Sequence, residues 1–192
     1  FFADVPYRQE TGVCSPVALF SSSELAAIAE DAYEEWTVGA LTWRPSFEFD
    51  FAGQQQDEAN WLQMCETQEE FNRFAGTTDW TAVTFPDYGS QGALTGFRIY
   101  INPIWNWQPD CSGGGCGQTE LSLKGTLVHE FGHVLGFDDV AAIGCDDESV
   151  MFWDGTLYVG TAFREAIKAA DALAVNYLYG ITVDIGTSLW VA

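Results

Sequence analysis

The stretch His129-Glu130-Phe131-Gly132-His133-Val134-Leu135-Gly136-Phe137-Asp138-Asp139 decides how this chain is read. It has the form H-E-x-x-H-x-x-G-x-x-D, and each lettered position has a chemical reason. If residues 122–135 are helical, His129 and His133 stand one turn apart on one face, where both imidazoles reach a single metal ion. Glu130 is turned off that axis but stays close enough to take a proton from a water on the metal. Gly136 can adopt a left-handed conformation that ends the helix, and the turn brings Asp138 and Asp139 back toward the metal.

The chain has 2 histidines in all, so the third protein ligand of a catalytic zinc must be a carboxylate or a cysteine. Asp139, last in the pattern, is the expected ligand, with Asp138 and the thiol of Cys145 as alternatives. Two histidines at this spacing often merely decorate a helix. The intervening Glu130, the following Gly136 and the placed Asp139 argue against that simpler reading.

On these residues the chain resembles the metzincin clan of zinc endopeptidases, whose signature is H-E-x-x-H-x-x-G-x-x-H or D followed by a methionine-containing turn. Ser149-Val150-Met151-Phe152-Trp153 is similar to that turn. The closing run Asp171-Ala172-Leu173-Ala174-Val175-Asn176-Tyr177-Leu178-Tyr179-Gly180 is similar to the D-x-x-x-x-x-x-L-Y-G close of matrixin domains, whereas the aspartate as third ligand is similar to snapalysin-type metzincins. The resemblance implies an α+β fold and a single catalytic domain over residues 1–192. A twisted mixed β-sheet with two long helices would form an upper subdomain, residues 1–136, ending in the zinc helix. A small lower subdomain, residues 137–192, would carry the methionine turn and one helix, with the zinc cleft between the two.

The activity so implied is a secreted zinc endopeptidase that hydrolyses peptide bonds with a zinc-bound water and Glu130 as general base. His129, His133 and Asp139 would hold the zinc, Gly136 would make the turn, and Met151 would form a hydrophobic base beneath the metal. Gly92, Ala93, Leu94 and Thr95 would form the strand edge that pairs with an extended substrate, and Phe152 and Trp153 would line the pocket for the side chain after the scissile bond. Glu165 as a thermolysin-like third ligand leaves Gly136 and Met151 unexplained. An aspzincin-like G-T-x-x-D segment fails because Gly155-Thr156 is followed by Val159 at the ligand position. The rival from another class is a catalytically silent or latent zinc-bearing binding module, against which the intact Glu130 counts.

Composition narrows the partners. Asp and Glu number 28 against 7 Lys and Arg, a formal charge of -21. Such a surface repels phosphate backbones and anionic membranes, which argues against nucleic-acid and membrane-surface roles; a protein or peptide substrate is what the resemblance implies, and a monomeric chain is expected. Solubility is the simpler reason for the charge; the run Asp146-Asp147-Glu148 is also considered for a structural Ca2+. No apolar run is long enough to span a bilayer, and no signal-peptide pattern is present, so the opening at Phe1 reads as a mature or trimmed form. With 5 cysteines in a small acidic chain, an oxidising compartment is expected. Cys111 and Cys116, flanking Ser112-Gly113-Gly114-Gly115, are the expected disulfide; of Cys14, Cys65 and Cys145 at least one is left unpaired within the chain and is considered for latency.

Local patterns set the remaining expectations. Ser21-x-x-Glu24 is a capping box before a helix with apolar positions Leu25, Ile28, Ala29, Ala32, Tyr33 and Trp36. Phe47, Phe49 and Phe51 alternate as in a strand. Residues 57–76 read as mostly helical, with a second box at Thr67-x-x-Glu70 and Met64 in the core. Residues 79–85 and 93–101 read as strands separated by a turn at 86–90. Trp105 and Trp107 read as core or cleft wall. The last helix is expected to run from Thr161 to Gly180, followed by an extended tail, 181–192.

Overall fold

Ser21 caps the first helix as the S-x-x-E pattern requires. Its backbone N–H and hydroxyl both donate to the Glu24 carboxylate, at 2.8 and 2.6 Å, while its Oγ accepts the Glu24 N–H at 3.3 Å. The helix so capped is α1 (Ser22–Glu35). It belongs to a mixed α+β fold, given by a computed structural model that describes residues 19–36, 60–77, 80–90, 94–112, 116–140, 149–152 and 165–179. Two units are distinguished, Phe1–Ala27 with Phe47–Trp107, and Ile28–Ser46 with Gln108–Ala192.

The first unit is built on a three-stranded mixed sheet in the order β1-β3-β2. The strands are β1 (Asn60–Met64), β2 (Ala82–Tyr88) and β3 (Leu94–Ile101). β1 runs parallel to β3, with Leu62 opposite Ile99 and Met64 opposite Ile101. β2 runs antiparallel to β3, with Thr84 opposite Ile99 and Asp87 opposite Gly96. The mostly helical reading of 57–76 is therefore wrong over Asn60–Met64. Leu62, Gln63 and Met64 are all buried, so both faces of this segment are covered and no alternation marks it as a strand; a short run of that kind is indistinguishable from buried helix by periodicity. The helix begins only after Thr67, whose side chain accepts the Glu70 N–H; this is α2 (Gln68–Ala75), closed by Gly76 at φ 70°.

β2 also outlasts its expected end, because Pro86 lies within it opposite Phe97. Among the described residues β2 is an edge strand, where a missing N–H can face away from the ladder. An irregularity between Asp87 and Tyr88 closes the pairing, with the Thr95 hydroxyl donating to the Asp87 carbonyl at 3.0 Å and Arg98 paired to the Asp87 carboxylate at 3.1 Å. The core between α2 and the sheet gathers Cys65, Phe71 and Tyr100 with Phe74, Ala75, Val83 and Phe85. Phe74 stacks on Tyr100 at 4.2 Å. Trp107 is buried, as expected for a core position, and its indole donates to the Asn102 carbonyl at 2.8 Å.

The second unit begins within α1, whose Ala29, Ala32 and Trp36 are buried. The chain returns to it at the end of β4 (Asn106–Gln108) and continues through β5 (Glu120–Ser122) into α3 (Leu123–Val134). Gln108 donates to Glu120 at 2.9 Å. Lys124, on the first turn of α3, bridges Asp31 at 2.8 Å and Glu35 at 2.9 Å on α1. Burial alone would pull the Lys124 ammonium down, but these two carboxylates outweigh it and hold its pKa above 10.5. Cys111 and Cys116 form the expected disulfide, with Cα atoms 5.1 Å apart, and Cys65 is disulfide-bonded as well.

The last helix, α4 (Ala169–Tyr179), starts later than Thr161. The Asp171 carboxylate accepts the Lys168 N–H at 2.8 Å, which satisfies an end-group of the helix and fixes its start. Among the described residues no helix is long and apolar enough to cross a membrane. The expected strand at Phe47–Phe51, the acidic run Asp146–Glu148, Cys14, Cys145 and the tail 181–192 lie outside the described residues.

Two substitutions rank these contributions. Phe71→Ala empties a fully buried position and is expected to cost about 3–5 kcal/mol, whereas Thr67→Ala, which removes a cap, is expected to cost about 1 kcal/mol. Urea unfolding followed by tryptophan fluorescence orders the two; equal costs would contradict the placement of Phe71.

Candidate metal centre

α3 is buried nearly all round: Leu123, Gly125, Thr126, Leu127, Val128, Glu130, Phe131, Gly132 and Val134 are inaccessible. His129 and His133 occupy the face that remains half open, with side chains 21% and 23% exposed. At the start of the helix the Ser122 side chain accepts the Gly125 N–H at 3.0 Å and donates to the Glu165 carboxylate, which also accepts the Cys111 N–H. Glu165 is thus engaged at the N-terminus of α3, about 10 Å along the helix from His129. That disposes of it as the third ligand.

The other end of α3 closes in a Schellman motif. Gly136 takes φ 89°, its N–H donates to the His133 carbonyl at 2.9 Å, and the Phe137 N–H donates to the Gly132 carbonyl at 3.0 Å. Gly136 therefore sits where a side chain would be strained, as the sequence pattern requires. Phe137 stacks on Trp36 with centroids 5.6 Å apart, and the Trp36 indole donates to the Val128 carbonyl at 2.8 Å. The reversal delivers Asp139 to the histidines. Its Oδ1 lies 3.1 Å from His129 Nε2 and 3.5 Å from His133 Nε2, and the two Nε2 atoms are 3.1 Å apart.

Tautomers follow from the opposite side of each ring. His129 Nδ1 is 2.8 Å from the Val150 carbonyl and His133 Nδ1 is 2.8 Å from the Phe137 carbonyl. A carbonyl can only accept, so each Nδ1 carries the hydrogen and each neutral Nε2 presents a lone pair. Two imidazole lone pairs and a carboxylate oxygen then converge on one point, which is repulsive unless a proton or a metal cation stands there. Tetrahedral zinc with bonds of about 2.0–2.1 Å sets its ligand atoms about 3.3 Å apart, close to the separations found. The donor set fits zinc: borderline nitrogen with one hard oxygen, and a fourth position for water or substrate.

Against α3 at Gly132 lies Met151, 3% exposed. A Cβ placed on Gly132 would come within 2.1 Å of the Met151 Sδ and 2.9 Å of Trp36 Cζ2, so the absence of a side chain at Gly132 is what admits the thioether against the helix. The turn itself is held by the Phe152 N–H donating to the Ser149 carbonyl at 3.2 Å and the Val140 N–H donating to the Met151 carbonyl at 2.8 Å. Asp171, buried on α4, accepts the Ser149 hydroxyl and the Val150 N–H. Gly132 carries no mark in the sequence pattern, and Ser149 and Asp171, although they open the turn and closing motifs, are not marked there as partners of each other. Gly132 falls on an unlettered position, and Asp171 is 22 residues from its hydroxyl partner.

Of the residues expected from sequence, His129, His133 and Asp139 are brought together as a group able to hold a metal. Glu130 is buried next to them, close enough for its carboxylate to act on the His129 imidazole. Asp138 is not one of the converging donors. Phe152 is half-buried directly after Met151. Leu94 and Thr95 open β3 in the first unit, where Leu94 pairs with Tyr88 on β2. Gly92, Ala93, Trp153 and Val159 lie outside the described residues.

In the metal-free chain a proton relieves the convergence. Burial pulls the His129 imidazole down, but the Asp139 carboxylate, Glu130 and the Val150 carbonyl outweigh it and hold its pKa above 6.5. Burial likewise pushes Asp139 up, but the His129 and His133 rings hold it below 3.8. The stability from the raised histidine is complete below pH 6.5 and is lost as pH rises through its folded pKa; that from Asp139 is present above 3.8 and lost below its folded pKa. Metal competes for the same lone pairs and runs opposite, so saturating zinc is expected to raise Tm more at about pH 8 than at about pH 5.5. Equal shifts at both pH values would place the zinc elsewhere. Gly132→Ala is expected to lower Tm in both forms, because the added methyl meets Met151 and Trp36. No family model, curated protein or solved structure matches this chain, so the chemistry of its own residues carries the assignment.

Proposed function

We propose that this chain is a zinc-dependent endopeptidase of the metzincin type, acting on protein or peptide substrates outside the cell. The observation that carries the reading is the convergence of two Nε2 lone pairs and the Asp139 carboxylate at separations of 3.1–3.5 Å, with both Nδ1 hydrogens turned to backbone carbonyls. His129, His133 and Asp139 would hold the metal. When bound, zinc supplies a Lewis acid that polarises a peptide carbonyl and acidifies a water molecule.

Glu130 follows His129 on the same helix and is buried, so its carboxylate is withdrawn from bulk water and held against the ligand ring. It is the group that accepts the proton of the attacking water and returns it to the leaving amine. Met151 and Gly132 keep the histidine face from tilting, and Phe152 would contribute to the pocket wall. The Cys111–Cys116 disulfide and the charge of -21 support an extracellular setting.

Hydrolysis of unfolded casein tests the reading. Glu130→Gln is expected to keep its zinc and lose activity by about 100-fold or more, whereas Asp139→Ala is expected to lose zinc and activity together. A Glu130→Gln protein as active as its parent would sink the peptidase assignment.

A further inference from the structure

The Ser149 hydroxyl stands in a position that holding the methionine turn does not by itself explain. Its hydrogen goes to Asp171 Oδ1, while its oxygen accepts the Met151 N–H at 3.1 Å. That N–H belongs to the peptide unit joining Val150 to Met151, and the carbonyl of the same unit accepts the His129 Nδ1–H at 2.8 Å. Asp171 is itself firmly held. It is 4% exposed and also accepts the Val150 N–H at 3.2 Å and the Lys168 N–H at 2.8 Å.

We infer that Asp171, Ser149 and the Val150–Met151 peptide form a relay that tunes His129 as a metal ligand. The dipoles align head to tail from the carboxylate to the imidazole. A carboxylate polarises the hydroxyl, the hydroxyl oxygen becomes a better acceptor for the peptide N–H, and the peptide carbonyl in turn draws on the Nδ1–H. Each step raises electron density at His129 Nε2. A carboxylate bonded directly to a ligating histidine does the same and fixes its tautomer; here the carboxylate is on another helix, and a hydroxyl and one peptide unit span the gap. Ser149 and Asp171 are positioning residues that reach the metal only through His129.

The inference rests on the zinc assignment, and its test is read on metal binding, not on turnover. Zinc affinity is measured by chelator competition in the full chain and in Ser149→Ala, Asp171→Asn and the double variant, with Tm of each metal-free protein and the visible spectrum of each cobalt(II) form. Ser149→Ala is expected to weaken zinc by about 10–100-fold and to shift the cobalt bands, and the double variant to lose little more than the larger single loss, as members of one network do. Unchanged zinc affinity and cobalt bands in Ser149→Ala, with only metal-free Tm lowered, would make the hydroxyl purely structural and overturn the relay; additive losses would overturn it too. A parent chain that binds zinc without cleaving casein defeats the peptidase reading and leaves the relay measurable. One that binds no zinc defeats both.

Discussion

The convergence of three electron-pair donors, His129 Nε2, His133 Nε2 and Asp139 Oδ1, within hydrogen-bond distance of one another is the constraint to which the second unit is built. It exists because each imidazole is held from behind by a backbone carbonyl, Val150 for one ring and Phe137 for the other. Those carbonyls are fixed in different ways. The first belongs to a turn pinned by a buried carboxylate, the second to the cap of the helix that carries both histidines. The orientation of both rings is thereby distributed over parts of the chain that lie outside the His129–His133–Asp139 group.

Tight packing enforces the arrangement where hydrogen bonds do not. Met151 and Trp36 both press on Gly132, leaving no room for a side chain, and Phe137 lies flat on Trp36. A close-packed contact of this kind has few alternative arrangements, so the histidine face is held to one orientation. The price of that rigidity is intolerance: residues that carry no chemistry become as restricted as the ligands.

What can be read from the sequence follows from the range of each interaction. His129, His133, Gly136 and Asp139 lie within 11 consecutive residues, and one helical turn and the reversal at Gly136 join them. Ser21 and Thr67 are legible as caps because a cap is satisfied three residues away. β1 is not legible, because Leu62, Gln63 and Met64 owe their extended form to β3, some 37 residues on in the register Leu62 to Ile99, and their own pattern suits helix equally well. The start of α4 is hidden for a related reason: Asp171 sets it from inside the helix, by accepting the Lys168 N–H, and the closing motif that contains Asp171 does not show this role. Gly132 gives no signal of its own because its meaning is supplied by Met151 and Trp36, distant in sequence. The α+β class is what the resemblance implies, and the structure shows it; the pairing of β1 is not legible at all.

The Schellman closure of α3 has a dynamic consequence. His133 supplies a ring to the metal centre and a main-chain carbonyl to the Gly136 N–H, while its ring holds the Phe137 carbonyl. Unwinding of the last helical turn and displacement of the His133 ring are therefore one event, and a cation, if held at the centre, would clamp a segment that is otherwise among the first to fray. Slowed amide exchange on loading would then fall at a helix end, ordinarily the least protected part of a helix.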